Sequence, residues 1–207
     1  MRRVVLASAS PRRRELLQAL VADFDVVASG VEEPWEDDPV ANAENLARDK
    51  ALDVLAKNTD AVVVGADTIV FDDSRSYGKP GDAAEAEEMW RSLRGRLHRV
   101  VTGFAVVSEG AVQVGSVVSE VELSDLSDSL IVEYVASGRP MDKAGAYAIQ
   151  DEDVPTVRRL DGCYCSVMGL PLWSVKRSLE ACGVTCSDPG ERFSRCRECA
   201  GRDLGGG

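Results

Sequence analysis

The run Ala61-Val-Val-Val-Gly65 constrains this chain more than any other stretch. Continuous apolar residues over so short a span suit a strand covered on both faces, as in a sheet with helices packed on either side. Asp67 follows almost at once, which puts a carboxylate at the carboxyl end of a buried strand. Open α/β sheets receive their ligands there, and such a carboxylate can hold Mg2+ or take a proton from water. A turn or helix cap would use the same residue equally well. Ile69-Val-Phe71 either extends the strand or begins the next one.

The rest of the chain fits an α/β protein with a mixed sheet and flanking helices. Val4-Val-Leu-Ala7 reads as a second short buried strand. Ser10 and Pro11 then supply an N-cap and a first helical residue for a helix carrying Leu16, Leu17 and Leu20. Helical spacing of Ala43, Leu46, Ala47, Lys50 and Val54 predicts a helix from about Pro39 to Ala56. A third helix spans Asp82 to Arg94 and stops at Gly95. Two β-rich runs, His98–Ser108 and Ala111–Leu123, flank a Glu109-Gly110 turn. Leu130–Ala136 is helical, Ala146–Ile149 and Cys165–Met168 read as short strands, and Pro171–Cys182 reads as the last helix. Beyond about Ser187 apolar periodicity is lost, and the closing Gly205-Gly-Gly207 is expected to be disordered.

Composition narrows the partners. The formal net charge of -11 sets the chain against nucleic acid backbones and anionic membranes. No segment resembles a signal peptide or a membrane span, so the expected compartment is the cytoplasm, where thiols stay reduced. One basic patch runs against the overall charge: Arg2, Arg3, Arg12, Arg13 and Arg14 fall in the first fourteen residues, with no acid among them.

That patch lies where chemistry is expected. Ser8-Ala-Ser-Pro-Arg-Arg-Arg14 places free backbone N–H groups, two hydroxyls and three guanidinium groups at a strand-to-helix turn. Arginines in a first helical turn oppose the helix dipole, a conflict that a bound polyphosphate would turn into a match. Solvated surface arginines are the plainer alternative. Lys50 interrupts an apolar helical stripe, where a charge is costly unless paired or able to snorkel to water. Lys79 occupies a constrained bend, Gly78-Lys-Pro80, and Glu32-Glu33 is an acidic pair. His98 is the only histidine, which argues against a multi-histidine zinc site and a Ser-His-Asp triad. Asp142 through Gln150 offers a glycine, the Tyr147 ring and an amide side chain, a set able to stack and hydrogen-bond a base or simply to form a turn.

Taken together these segments resemble the Maf family of nucleotide pyrophosphatases. The matching pieces, in order, are Leu6–Arg13, Val31-Glu-Glu33, Leu46–Ala51, Gly65-Ala-Asp-Thr68, Gly78-Lys-Pro80, His98–Gly103, Asp142–Tyr147 through Gln150, and Val167–Pro171. The resemblance implies an α/β fold with a twisted mixed sheet and two lobes around a central cleft, like that of the inosine-triphosphate pyrophosphatases. It implies hydrolysis of nucleoside triphosphates to the monophosphate and pyrophosphate with Mg2+ or Mn2+, and a homodimer. It assigns the catalytic role to Asp67, phosphate contacts to Ser8, Arg13, Lys50 and Lys79, and an acidic metal-site residue to Glu33. Arg12, Thr68 and Gln150 are similar to the specificity residues of the branch that takes dTTP and UTP. A nucleotide-binding regulator of cell division or septum formation is the rival reading.

The family pattern ends near Gly183, so residues 1–187 are expected to form the pyrophosphatase domain and 188–207 a separate tail. Cys182, Cys186, Cys196 and Cys199 there read C-x3-C-x9-C-x2-C, close to zinc-knuckle spacing. A structural zinc competes with a loose cysteine-bearing tail, and a zinc-dependent interaction module is the third functional reading. Cys163 and Cys165 are expected in the core.

Overall fold

Short apolar strands bury themselves by pairing in parallel, and β1 (Val4–Leu6) does so on both sides. It pairs with β2 (Asp25–Val26) and with β3 (Val62–Phe71), where Val4, Val5 and Leu6 face Val62, Val63 and Val64. This computed structural model describes residues 2–34, 37–151 and 153–202. The strands hydrogen-bond in the order β2-β1-β3-β5-β6-β7, with the two-residue β4 (Ser76–Tyr77) antiparallel to β3. The long strands β5 (Leu97–Ser108) and β6 (Ala111–Leu123) are joined by Glu109 and Gly110, a two-residue connection that only an antiparallel pair allows. β7 (Val157–Asp161) adds to β6 in antiparallel register. The sheet is therefore mixed, and helices flank it.

The chain divides into two compact units. Met1–Thr68, Val101–Val118 and Cys163–Gly207 make the first. Its helices are α1 (Pro11–Leu17) and α2 (Pro39–Leu55), then α5 (Tyr164–Met168), α6 (Leu172–Ala181) and the short α7 (Pro189–Arg192). Ser10 and Asp38 cap α1 and α2 through their side-chain oxygens. Ala47, Ala51 and Val54 of α2 pack on Val5, Val63, Ala105 and Val107, one face of the sheet. Val62 and Val64, which point the other way, are equally buried, so β3 is covered on both faces as its sequence required.

The second unit, Ile69–Val100 and Ser119–Gly162, holds α3 (Ala83–Leu93) and α4 (Asp128–Ala136). Its core is aromatic. Trp90 meets Tyr134 edge-on at 5.6 Å, and its buried indole N–H donates to Ala146 O at 2.7 Å.

Several expectations need correction. Ala146–Ile149 is not a strand: Gly145 and Ala146 both have positive φ, at 70° and 57°, which ends any extended run. Cys165–Met168 is not a strand either, because Cys163 caps the short helix α5 there by accepting from Ser166 N. Nor is Pro171–Cys182 the last helix, since α7 and two 3-10 turns, Ser194–Arg197 and Ala200–Arg202, follow it. β2, β4 and β7 carry no strand signal in the sequence: two are too short to alternate, and Arg158-Arg159 masks the pattern of the third. Gly205–Gly207 lies outside the described residues.

Candidate active site

Lys50 reaches its charged partners because α2 lies unusually close to the sheet. A Cβ on Gly65 of β3 would come within 2.2 Å of Ala47 O, and one on Gly103 of β5 within 2.2 Å of Ala43 O. Only glycine permits that approach at either point. It brings the Lys50 ammonium to 2.6 Å from Asp67 Oδ1 and 2.5 Å from Glu33 Oε1. Lys50 is 6% exposed and Asp67 8%, so the lysine does not snorkel; it is a buried cation neutralised in place. Glu33 closes the group from the exposed side.

Asp67 is not at the end of its strand, since β3 continues to Phe71. The functional edge is set by its neighbour instead: the parallel pairing with β1 stops at Leu6↔Val64, three residues short of Asp67. The carboxylate thus lies just past the end of the parallel ladder, beyond which the chain turns through Ser8 and Ser10 into α1.

That turn delivers Arg13. Ser10 N donates to the buried Ser8 Oγ, and Arg13 N donates to Ser10 Oγ. The Arg13 guanidinium folds back over the turn and donates to Gly169 O at 3.0 Å, Ser8 Oγ at 3.4 Å and Thr68 Oγ1 at 3.1 Å. All three partners are uncharged oxygens, so the positive charge is held in place without being neutralised by contact. Burial pulls the Arg13 pKa down from its ordinary value; Asp67 and Glu33 oppose that shift and Arg12 adds to it. Arginine remains charged nonetheless. Arg12 is half-buried on the same turn.

Thr68 also meets Thr102 Oγ1 at 2.9 Å, and Thr102 donates to Ser166 O at 2.7 Å. Thr102 and Gly169 fall within the segments that resemble the family, but a threonine inside a β-rich run and a glycine before Leu170-Pro171 show no role of their own. The left-handed φ of 122° at Gly169 is the one local feature that marks its role.

Lys79 and Gln150 belong to the second unit. Lys79 is exposed in the bend after β4, where Gly78 O accepts from Gly145 N at 3.0 Å. Gln150 is half-buried in a turn. Tyr147 is unavailable to stack on a base. It is buried edge-on to Trp90 and His98, with its hydroxyl 2.8 Å from His98 Nε2.

The tail cysteines do not gather as their spacing implied. Cys196 Sγ lies 3.2 Å from Cys165 Sγ, and Cys199 lies close enough to Cys163 to help raise its pKa. Cys182 instead accepts from Gln113, and Cys186 donates to Val184 O. The tail folds back so that its thiols meet the Cys163–Cys165 segment, a long-range contact that C-x-x-C spacing cannot reveal. Burial pushes the Cys163 thiol up to about 12. Among the described residues no group of three or more His, Cys, Asp or Glu side chains is arranged to hold a metal ion. Asp67 and Glu33 nevertheless make a two-carboxylate oxygen pair on one ammonium. That pair fits a hard divalent cation, which typically takes one or two carboxylates and completes its shell with water and substrate phosphates.

Comparison with known proteins adds the family. A model of the Maf-like protein family matches residues 3–182. The chain belongs to the Maf-like family. It is 46% identical to a dTTP/UTP pyrophosphatase of Thermococcus gammatolerans over 169 residues, 82% of this chain and 91% of that protein. It is 47% identical to one of Geobacter sulfurreducens over 88% of this chain and 97% of that protein. A third relative with the same name, from Aquifex aeolicus, is 42% identical over 89% of this Maf-like chain and the whole of its own length. No helix among the described residues is long and apolar enough to cross a membrane.

Proposed function

We infer that this Maf-like protein is a nucleoside triphosphate pyrophosphatase that hydrolyses dTTP and UTP to the monophosphate and pyrophosphate. The observation that carries the reading is the meeting of Asp67, Glu33 and Lys50 at one point, with the unneutralised Arg13 guanidinium beside Thr68. A carboxylate next to fixed cations suits attack of water on a polyanion, since phosphoryl transfer depends on positioning and electrostatics more than on reactive side chains.

In the proposed reaction Lys50 fixes Asp67 through Oδ1, and Asp67 takes the proton from the attacking water. The oxygen adds to the α-phosphorus in line as the bond to the β-phosphate oxygen breaks, and pyrophosphate leaves. Arg13, with Ser8, holds phosphate oxygens and offsets the charge that develops on them. Asp67 and Glu33 would hold Mg2+ or Mn2+, which when bound would supply a Lewis acid for the phosphate oxygens. Lys79 is assigned a further phosphate contact, and Arg12, Thr68 and Gln150 the reading of the pyrimidine.

Residues 1–187 are proposed to form the pyrophosphatase domain and 188–207 a C-terminal addition to it. A cytoplasmic homodimer without nucleic-acid or membrane partners is the assembly this reading favours. Neither the turnover-free regulator nor the zinc-dependent module is favoured, because the charged cluster suits hydrolysis and the relatives bear the name of an enzyme. The test is pyrophosphate release from dTTP, UTP, CTP and GTP with each divalent metal. Efficient release from dTTP and UTP supports the reading, and no release from any of them refutes it.

A further inference from the structure

The proton positions around Thr68 follow from the heavy atoms. A hydroxyl has one proton to give and two lone pairs to accept with. Ser166 O is a carbonyl and can only accept, so Thr102 Oγ1, 2.7 Å away, must spend its single proton there. Thr102 then has nothing left to donate, and the 2.9 Å contact between the two threonines carries the proton of Thr68. Arg13 Nη2 can only donate, and it occupies one lone pair of Thr68 at 3.1 Å. The order is fixed from end to end: Arg13 gives to Thr68, Thr68 to Thr102, and Thr102 to Ser166 O.

The inner end of this chain is firmly held. Thr102 is 0% exposed, and Ser166 O also accepts from Gly169 N at 2.8 Å, which pins the carbonyl. Thr68 is only partly buried. What remains on Thr68 for an incoming group is one lone pair and no proton. An acceptor held this way cannot turn into a donor without losing a buried hydrogen bond.

We propose that Thr102 is a positioning residue that sets base specificity: by taking up the Thr68 hydroxyl proton, it makes Thr68 meet the base as an acceptor alone. Uracil and thymine carry a proton on N3 and satisfy that acceptor. Cytosine has a bare lone pair on N3, and two acceptors facing each other in a partly dry site repel and leave both unpaired. Sites built around one hydrogen-bonding group reject the analogue that cannot complete it. This inference rests on the pyrimidine-nucleotide reading above, with Thr68 facing the base; it adds the residue that decides which pyrimidine is accepted.

Thr102→Val keeps the shape but removes the acceptor, so the Thr68 proton is released and can turn toward cytosine. The experiment is kcat/KM for UTP and CTP in the wild type, Thr102→Val and Thr102→Ser, read with the denaturation midpoint of each. The UTP-to-CTP ratio should fall by about tenfold or more in Thr102→Val and stay near the wild-type value in Thr102→Ser. A purely structural role for Thr102 would lower both substrates together and leave the ratio alone; that result overturns the proposal. Wild-type protein offers a second test that needs no variant. 3-Methyluridine triphosphate lacks the N3 proton and should be cut at least about tenfold more slowly than UTP. Equal rates on the two would overturn the proposal as well. Failure of the wild type to cut UTP or dTTP at all is a separate result, and it removes the underlying functional reading.

Discussion

The Lys50 ammonium lies 2.6 Å from Asp67 Oδ1, and both side chains are almost wholly buried. Two opposite charges taken out of water together tolerate the loss of hydration; either one alone does not. Asp67→Asn keeps the shape and should leave the fold intact while pyrophosphate release falls by about 10²–10⁴-fold. Asp67→Ala should in addition lose about 1–3 kcal/mol of stability, because it also removes the buried acceptor oxygen and leaves Lys50 with Glu33 alone. Urea denaturation beside the activity assay separates the two effects. Normal release by either variant would remove Asp67 from the proposed role.

Gly65 and Gly103 bring α2 close to the sheet, so a single methyl group should damage stability and activity together. A Cβ at either position would sit 2.2 Å from a carbonyl oxygen of the α2 backbone, and neither strand nor helix can yield through a side-chain rotation. Overpacking of this kind costs about 1–3 kcal/mol or somewhat more. Gly65→Ala and Gly103→Ala should therefore lower the thermal midpoint by several degrees. Each should also reduce kcat more than KM, since Lys50 moves away from Asp67 with its helix.

Arg13→Lys should behave as a severe change. One guanidinium satisfies Gly169 O, Ser8 Oγ and Thr68 Oγ1 from three nitrogens, a fork an ammonium cannot reproduce. We expect kcat/KM for dTTP to fall by about tenfold to a hundredfold, with far-ultraviolet circular dichroism unchanged. Wild-type kinetics in this variant would show that the fork is dispensable.

His98 makes the second unit acid-sensitive. Burial holds its pKa near 4, outweighing the opposing pull of the Arg96 carbonyl and the Asp72 carboxylate. An unfolded histidine titrates near 6.5, so between those values the unfolded chain binds more protons than the folded one. The contribution is therefore complete above about pH 6.5 and is lost as pH falls toward 4, by on the order of 3 kcal/mol in all. Urea midpoints at pH 7 and pH 4.5 should differ less in His98→Gln than in the wild type.

The sequence carried much of this protein in recognisable form. Hydrophobic periodicity placed α2, the Asp82 cap and the Gly95 stop placed α3, the Ser10-Pro11 pair placed the start of α1, and Glu109-Gly110 placed the turn between the long strands. Lys50 was visible as a charge on an apolar stripe, and Asp67 as a carboxylate after a buried run. These are local signals, set by the spacing of neighbouring residues and by the backbone preferences of glycine, proline and capping side chains. Only the tertiary structure decided that Lys50 meets Asp67 and Glu33 rather than water, that Tyr147 is a core residue, and that Cys196 pairs with Cys165 rather than with the cysteines nearest it in sequence. Those contacts depend on the parallel register of β1 on β3, on two glycines that let a helix approach closely, and on the path by which the tail folds back. Each joins residues far apart along the chain, and one residue's spacing to its neighbours carries no information about a partner that the fold brings to it.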